Sequence, residues 1–227
     1  MTEEQRQALA DTKVWLFDLD NTLYPAESSL FDEIRGNMTS FIEENLNVGR
    51  EEAVAIRRKY FLEHGTTLAG MMANHGTDPD TYMKYVHDID FSPVLPNPVL
   101  NAVLHRLKGR KIIFTNADSG HANNVMARLG IGHHFEAIFD IADADYLPKP
   151  HPLPYERIVA DHKVPASGVV MLDDMARNLA PAAEMGMTTV WVRTHYDWSS
   201  DGQDEHPHVD HATDDLVAWL EGIAPAG

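Results

Sequence analysis

The sequence predicts an α/β protein in which a doubly wound parallel sheet carries an inserted all-helical cap domain, and three features support this prediction. Short apolar segments with the length of strands alternate with helical patterns from residue 93 onwards. Residues 26–92 contain helical patterns and no convincing strand. Polar residues directly follow several strands, where ligands of such sheets bind. Because helices between strands imply right-handed crossovers, one parallel sheet covered on both faces is expected.

The core elements follow from this alternation. Residues 2–12 are polar with scattered Ala and Leu, and they predict a short helix or a loose arm. Strands are predicted at residues 14–17, 111–114, 137–140, 169–172 and 188–192. Core helices are predicted at residues 99–107, 121–129, 155–161, 179–185 and 214–223. Residues 1–25 and 93–227 should therefore form the α/β core.

Residues 26–92 are expected to form the cap domain, called the helical insert below. Ser28 or Ser29 is a candidate N-cap for a helix that runs to Leu46, since its apolar residues recur at helical spacing. Further helical patterns cover residues 50–62, 66–73 and 79–86. Several aromatic and histidine side chains here are interpreted as packing or surface groups rather than substrate ligands: Tyr60, His64, His75, Tyr82 and Tyr85. Tyr24, at the junction of core and insert, is a better candidate for a substrate contact.

Composition excludes several classes of function. The 227 residues are 44% hydrophobic, enough for an ordinary buried core, and include no cysteine, which excludes disulfides and thiolate metal sites. The formal net charge of −17 argues against a nucleic-acid polymer or an anionic membrane as partner. No run approaches the roughly 20 apolar residues of a membrane span, and the first residues lack the pattern of a signal peptide. A cytoplasmic, globular protein is expected, with monomer and dimer both open.

The segment around Asp18 and Asp20 contains the strongest chemical signal. The apolar strand at residues 14–17 ends abruptly at these two carboxylates. Because they are two residues apart, both can point to one face and converge on one small volume. One Asp could attack an electrophile while the other protonates the leaving group and later activates water. Alternatively, both could hold a hard cation such as Mg2+. A simple turn is the structural alternative.

Other strand ends present different polar groups to the same edge of the predicted sheet. Thr115 and Asn116 follow the second strand, and Lys149 lies between two prolines after the third. Asp173 and Asp174 follow the fourth strand, with Asn178 close behind. Asp118 is interpreted as a helix cap. Because these groups coincide with strand ends, we expect them to lie together in one site.

With these motifs, the chain resembles the haloacid dehalogenase superfamily over nearly its whole length. The resemblance implies that Asp18 forms an aspartyl-phosphate and that Asp20 acts as acid and then as base. It also implies Mg2+ held by Asp18, the backbone carbonyl of Asp20 and Asp174, with Asp173 as a ligand or a neighbour of one. Further implied roles belong to Thr115 and Asn116, which would bind phosphoryl oxygens, to Lys149, which would balance charge, and to Thr22, which would brace the loop carrying Asp20.

The resemblance extends to substrate class. The run from Asp18 to Pro25, followed by a helical cap with Gly65-Thr66-Thr67-Leu68, looks most like the pyrimidine 5'-nucleotidase branch. That likeness implies an Mg2+-dependent phosphomonoester hydrolase acting on a small phosphorylated metabolite, a pyrimidine nucleoside 5'-monophosphate. The alternatives are a sugar-phosphate or phosphoglycolate phosphatase, a phosphoglucomutase, and a non-catalytic module that binds phosphorylated ligands. Retention of the acid at Asp20 disfavours dehalogenase and phosphonatase chemistry, since the resemblance implies that those enzymes replace it.

The C-terminal region is acidic and rich in histidine. His206, His208 and His211 are close enough in sequence to suggest a metal site, but no predicted strand or helix holds the three rings together. Residues 194–211 are therefore interpreted as a solvated loop.

Overall fold

A computed structural model describes residues 1–25, 28–165, 167–194 and 206–224. Its centre is a parallel sheet of six strands in the order β3-β2-β1-β4-β5-β6. The strands are β1 (Val14–Phe17), β2 (Arg110–Phe114), β3 (Ala137–Phe139), β4 (Val169–Asp173), β5 (Thr188–Val192) and β6 (His211–Thr213). The prediction of a parallel sheet is confirmed, and its five strands are present with bounds within one residue.

The sixth strand corrects the sequence analysis. The loop interpretation covers residues 194–211, whereas His211 begins the strand His211–Thr213, which pairs in parallel with β5. Its three residues carry no apolar pattern, so only the pairing with β5 defines them as a strand. Most of the predicted loop, residues 195–205, lies outside the described residues. His208 is held in place, because its Nε2 is 2.7 Å from the carbonyl oxygen of Ala176.

Ten α-helices are described. They are α1 (Glu3–Ala10), α2 (Leu30–Leu46), α3 (Arg50–His64), α4 (Thr67–His75), α5 (Pro79–Val86), α6 (Pro98–Arg106), α7 (Ser119–Leu129), α8 (Pro152–Asp161), α9 (Ala180–Glu184) and α10 (Leu216–Glu221). Short 3₁₀ helices occupy Gly132–His134 and Ala176–Leu179. Among the described residues, none of the helices has the length and apolar character needed to cross a membrane.

Alternating side chains of β1 reach both faces of the sheet, as a doubly wound fold requires. Trp15 and Phe17 pack into one apolar cluster with α6, α7 and α10. Val14 and Leu16 pack into a second cluster with α8 and α9. All four side chains of β1 are buried, so the strand that leads to Asp18 lies within the core.

Helices α2–α5 follow β1 and pack on one another around a separate apolar cluster, as predicted for the helical insert. Tyr60 and Tyr82 belong to this cluster, and the ring of Phe41 meets Tyr82 edge-on at 4.9 Å. These tyrosines are therefore packing groups, as expected from the sequence. The limits of the insert at residues 26 and 92 stay a prediction, and residues 26 and 27 lie outside the described residues.

Candidate active site

The sheet order brings the predicted site residues to one edge. β1 lies between β2 and β4, with Phe17 in register with Ile113 and Leu172. Asp18 therefore emerges beside the ends of β2 and β4, which lead to Thr115 and Asp173. Because the strands are parallel, all three side chains leave the sheet at its carboxyl edge.

Lys149 joins the strand ends electrostatically. Its side chain is 1% exposed, and its amine donates hydrogen bonds to Asp18 Oδ1 at 2.8 Å, Asp173 Oδ2 at 2.7 Å and the Phe114 carbonyl at 2.8 Å. Burial works against the charged amine, but the carboxylates of Asp173 and Asp18 outweigh it and raise the pKa of Lys149 above its ordinary value. Lys149 is therefore a permanent cation between two acids.

Asp18 is buried and held by hydrogen bonds to both carboxylate oxygens. Lys149 binds Oδ1, and the Thr22 hydroxyl donates to Oδ2 at 2.8 Å. Thr22 thus holds the Asp18 carboxylate directly, and its predicted role of bracing the loop that carries Asp20 stays a prediction. Burial, partly offset by Lys149 and reinforced by Asp173, raises the pKa of Asp18 from 3.8 to about 7.

Three carboxylates converge beside Lys149. Asp18, Asp173 and Asp174 each place one oxygen within 4.8 Å of the others, and all three residues are buried. Burial and the neighbouring charges of Asp18 and Asp173 raise the pKa of Asp174 well above its ordinary value. A single lysine leaves this cluster short of positive charge, so the donor set fits a hard divalent cation such as Mg2+. The carboxylate of Asp20 lies outside this cluster, so metal binding through its backbone carbonyl stays a prediction.

Asp173 is also held by hydrogen bonds from the turn after β4. Its Oδ1 accepts hydrogen bonds from the Asn178 side chain and from the Met175 backbone N–H, both at 2.9 Å. The oxygens of Asp173 are thus shared between Lys149 and the turn after β4. Asn178, which was noted in the sequence after the acidic pair, orients this carboxylate.

Thr115 and Asn116 lie beside the cluster, but their side chains bind protein groups. The Thr115 hydroxyl accepts a hydrogen bond from Ala117 N at 3.0 Å. The Asn116 side chain accepts from Lys149 N at 2.8 Å and donates to Lys149 O at 3.4 Å. Asn116 therefore positions the segment that carries the catalytic lysine candidate. The predicted contacts of both residues with phosphoryl oxygens stay predictions.

Asp20 is oriented by two residues to which the sequence analysis assigned no such role. Its Oδ1 accepts hydrogen bonds from the Tyr24 hydroxyl at 2.6 Å and from His121 Nε2 at 2.7 Å. Burial would raise the pKa of Asp20, but His121, Tyr24 and His87 outweigh it and hold the pKa below its ordinary value. Tyr24 donates its hydroxyl to this carboxylate, and its predicted contact with a substrate stays a prediction.

His121 lies in the first turn of α7, three residues after Asp118, which caps that helix as predicted. Its ring stacks on His87, which follows α5 of the helical insert. His87 in turn hydrogen bonds to Asp118 and, with His121, helps hold the pKa of Asp118 down, at about 2, although burial would raise it. Only the helix-cap pattern at Asp118 gave any sequence signal for this group.

Comparison with known proteins assigns the family. A sequence model described as haloacid dehalogenase-like hydrolase matches residues 12–186, which include every strand-end residue of the site. The chain belongs to the haloacid dehalogenase-like hydrolases. The superfamily resemblance is therefore confirmed, whereas the nucleotidase branch stays a prediction.

Individual relatives are more distant. Phosphate metabolism protein 8 of Saccharomyces cerevisiae is 27% identical over 77% of this chain, and the match spans 60% of the yeast protein. A glyceraldehyde 3-phosphate phosphatase of Methanopyrus kandleri is 27% identical over 80% of this chain and 84% of its own length. Among solved structures, a haloacid dehalogenase-like hydrolase of Burkholderia xenovorans LB400 superposes with a TM-score of 0.62 at 22% identity, covering 92% of this chain and 95% of its own. This last likeness supports the fold alone.

Proposed function

We propose that this hydrolase is an Mg2+-dependent phosphomonoesterase that acts through an aspartyl-phosphate on a small phosphorylated metabolite. The observation that carries the proposal is that the two acids after β1, Asp18 and Asp20, have different hydrogen-bond partners. Asp18 is held by Lys149 and Thr22, whereas Asp20 is held by Tyr24 and His121. Two carboxylates in separate environments suit two separate roles.

In the first step Asp18 supplies the nucleophile. A carboxylate oxygen of Asp18 forms a bond to phosphorus while the bond from phosphorus to the ester oxygen breaks. Lys149 limits charge build-up, because its amine already binds Asp18 Oδ1. Asp20 gives its proton to the departing alkoxide, which leaves as the alcohol. A phosphoryl dianion beside Asp20 favours the protonated form, since like charge raises a carboxyl pKa.

In the second step water attacks the phosphorus and Asp20 takes the proton of that water. The bond between phosphorus and the Asp18 oxygen breaks, which releases inorganic phosphate and restores the Asp18 carboxylate. Asp20 ends protonated and ready for the next substrate. The two steps balance without any redox partner.

Asp18, Asp174 and Asp173 would hold Mg2+, since their oxygens converge beside the lysine. When bound, Mg2+ supplies positive charge that offsets the clustered carboxylates and polarises the phosphoryl group. Without it, the raised pKa of Asp18 leaves part of the nucleophile protonated at neutral pH.

A pyrimidine nucleoside 5'-monophosphate is the proposed substrate, on the likeness of the Asp18–Pro25 run and the helical insert to that branch. A sugar phosphate is the second candidate, because two relatives are named as glyceraldehyde 3-phosphate phosphatases. In either case the helical insert would cover the carboxyl edge and select the leaving group. A non-catalytic binding module is disfavoured by the complete set of acids and lysine at the site.

The test is phosphate release by the purified chain from nucleoside monophosphates, triose phosphates and other sugar phosphates, with Mg2+ or with EDTA. Asp18→Asn should remove turnover, while Asp161→Asn, at the exposed end of α8, serves as the matched control and should not. Hydrolysis of UMP or CMP above all others would support the nucleotidase proposal. A preference for a triose phosphate would overturn the proposed substrate but support the proposed phosphomonoesterase reaction. Binding of phosphorylated ligands without turnover would overturn the proposal.

A further inference from the structure

His121 is placed where it can control the proton-transfer group of the proposed reaction. Its side chain is fully buried, and its Nε2 lies 2.7 Å from Asp20 Oδ1. An ionised carboxylate only accepts hydrogen bonds, so the N–H belongs to His121. The two residues are 101 positions apart in sequence and meet because α7 starts above the carboxyl edge of β2.

The direction of this hydrogen bond matters for chemistry. Tyr24 also donates to Oδ1, so both of these donors bind the same oxygen of Asp20. A proton carried by Asp20 then goes to Oδ2, since Oδ1 is already occupied by two donors. The Asp20 side chain is 16% exposed, so the carboxyl group remains accessible to a substrate. The two donors thereby fix which oxygen exchanges the proton and where it points.

We propose that His121 is a positioning residue that orients the Asp20 carboxyl group for proton transfer to the leaving alcohol. The inference rests on the proposed phosphomonoesterase function. His121 acts through Asp20 and does not itself exchange the substrate's proton.

The surroundings of His121 hold its ring in one orientation. The Asp118 side chain accepts a hydrogen bond from His121 N at 2.9 Å, which fixes the start of α7. The ring of His87 stacks on the His121 ring at 4.3 Å with 21° between the planes. His87 also hydrogen bonds to Asp118, so one acid holds the His87 ring and the backbone that carries His121. Because His87 comes from the helical insert, the insert and the core together hold the positioning residue.

A purely space-filling role explains the ring less well. The Nδ1 atom of His121 is buried and has no hydrogen-bond partner among the described residues. A half-satisfied buried ring costs free energy that an apolar residue of similar size would not. The contact with Asp20 is the interaction that accounts for a histidine at this position.

The test measures two substrates with different leaving groups in two variants of His121 whose side chains differ in length. In His121→Gln the longer amide can place an N–H near the position of Nε2, whereas in His121→Asn the shorter amide falls short of Asp20. The substrates are p-nitrophenyl phosphate, whose phenolate leaves without a proton, and the best alkyl phosphate of the substrate panel. The value of kcat/KM is measured for each, because it reports only the steps through departure of the leaving group.

We expect His121→Asn to lower kcat/KM for the alkyl phosphate by about 10- to 100-fold, a part of the roughly 10²–10⁴ that general acid catalysis supplies. For p-nitrophenyl phosphate the loss should be below about 3-fold, and His121→Gln should restore the alkyl rate to within about 3-fold of wild type. Asp20→Asn should show the same dependence on leaving group with a larger loss. His134→Asn is the matched control, since His134 lies on the 3₁₀ helix Gly132–His134 and hydrogen bonds to Asn101 of α6.

Thermal unfolding of each variant is measured first, and His121→Met, which fills the space without a donor, replaces the Asn variant if that variant does not fold. Equal losses on the two substrates would overturn the inference, and so would a Gln variant as impaired as the Asn variant. A wild-type enzyme that hydrolyses neither substrate would instead overturn the proposed function itself.

Discussion

Replacing Asp18 with Asn should abolish turnover and also remove a large pH dependence of stability in the metal-free protein. Asp18 is buried, and its pKa in the folded state is raised from 3.8 to about 7. The folded protein therefore binds this proton more tightly than the unfolded chain does. The resulting contribution to stability is complete at acidic pH and is lost as the pH rises from about 4 towards 7.

The size of the effect follows from the shift. One pKa unit corresponds to about 1.4 kcal/mol, so ionising Asp18 in the folded protein costs about 4 kcal/mol in total. Between about pH 5 and pH 8 the loss is roughly 2–3 kcal/mol, because part of the transition lies below pH 5. Asn does not titrate. Asp174, whose pKa is also raised, changes stability in the same direction and depends partly on the charge of Asp18.

The assay is urea denaturation in EDTA at about pH 5 and pH 8 for the wild type, Asp18→Asn and the surface control Asp161→Asn. Between the lower and the higher pH, the free energy of unfolding of the wild type should fall by about 2–3 kcal/mol more than that of Asp18→Asn. The control should follow the wild type. A difference between wild type and Asp18→Asn that stays constant within about 0.5 kcal/mol would refute the assignment of Asp18 as a buried acid with a raised pKa.

Three further predictions concern the metal, the lysine and the helical insert. Mg2+ at about 100 times its Kd should raise the free energy of unfolding by about 2.7 kcal/mol, measured by thermal melting, and an equal rise in Asp174→Asn would contradict the proposed ligand set. Lys149→Met in metal-free protein near neutral pH should cost about 3–5 kcal/mol in urea denaturation, because it leaves two buried carboxylates without their cation, and a loss under about 1 kcal/mol would argue against that pairing. Gly70→Ala would place a Cβ 2.3 Å from the Tyr60 side chain and should lower the urea midpoint by an amount equivalent to about 1–3 kcal/mol. Gly36→Ala, with nothing within 4 Å, is its control and should be neutral or stabilising by up to about 1 kcal/mol.

Local sequence signals predicted most of the fold. The five predicted strands, β1 to β5, are largely apolar runs, and α2 and α5 begin and end where helical spacing and an Asp-Pro start place them. The edge strand β6 was missed because its His-Ala-Thr sequence has no apolar alternation and depends on pairing with β5. Local pattern is sufficient where burial dictates residue type, and it fails where only a neighbouring strand defines the element.

The sequence by itself determined the family and the groups that could meet: two acids after the first strand, a lysine between prolines and an acidic pair after the fourth strand. Tertiary structure decided their contacts. Lys149 meets Asp18 across 131 positions, and His121 meets Asp20 across 101, because sheet order and not chain distance sets which strand ends are adjacent. The contacts of Thr22 with Asp18 and of Tyr24 with Asp20 are local, since each joins residues four positions apart in the turn after β1. No local pattern encodes the two long-range pairings of Lys149 with Asp18 and of His121 with Asp20, since each is a property of the surface that two distant segments form only when folded.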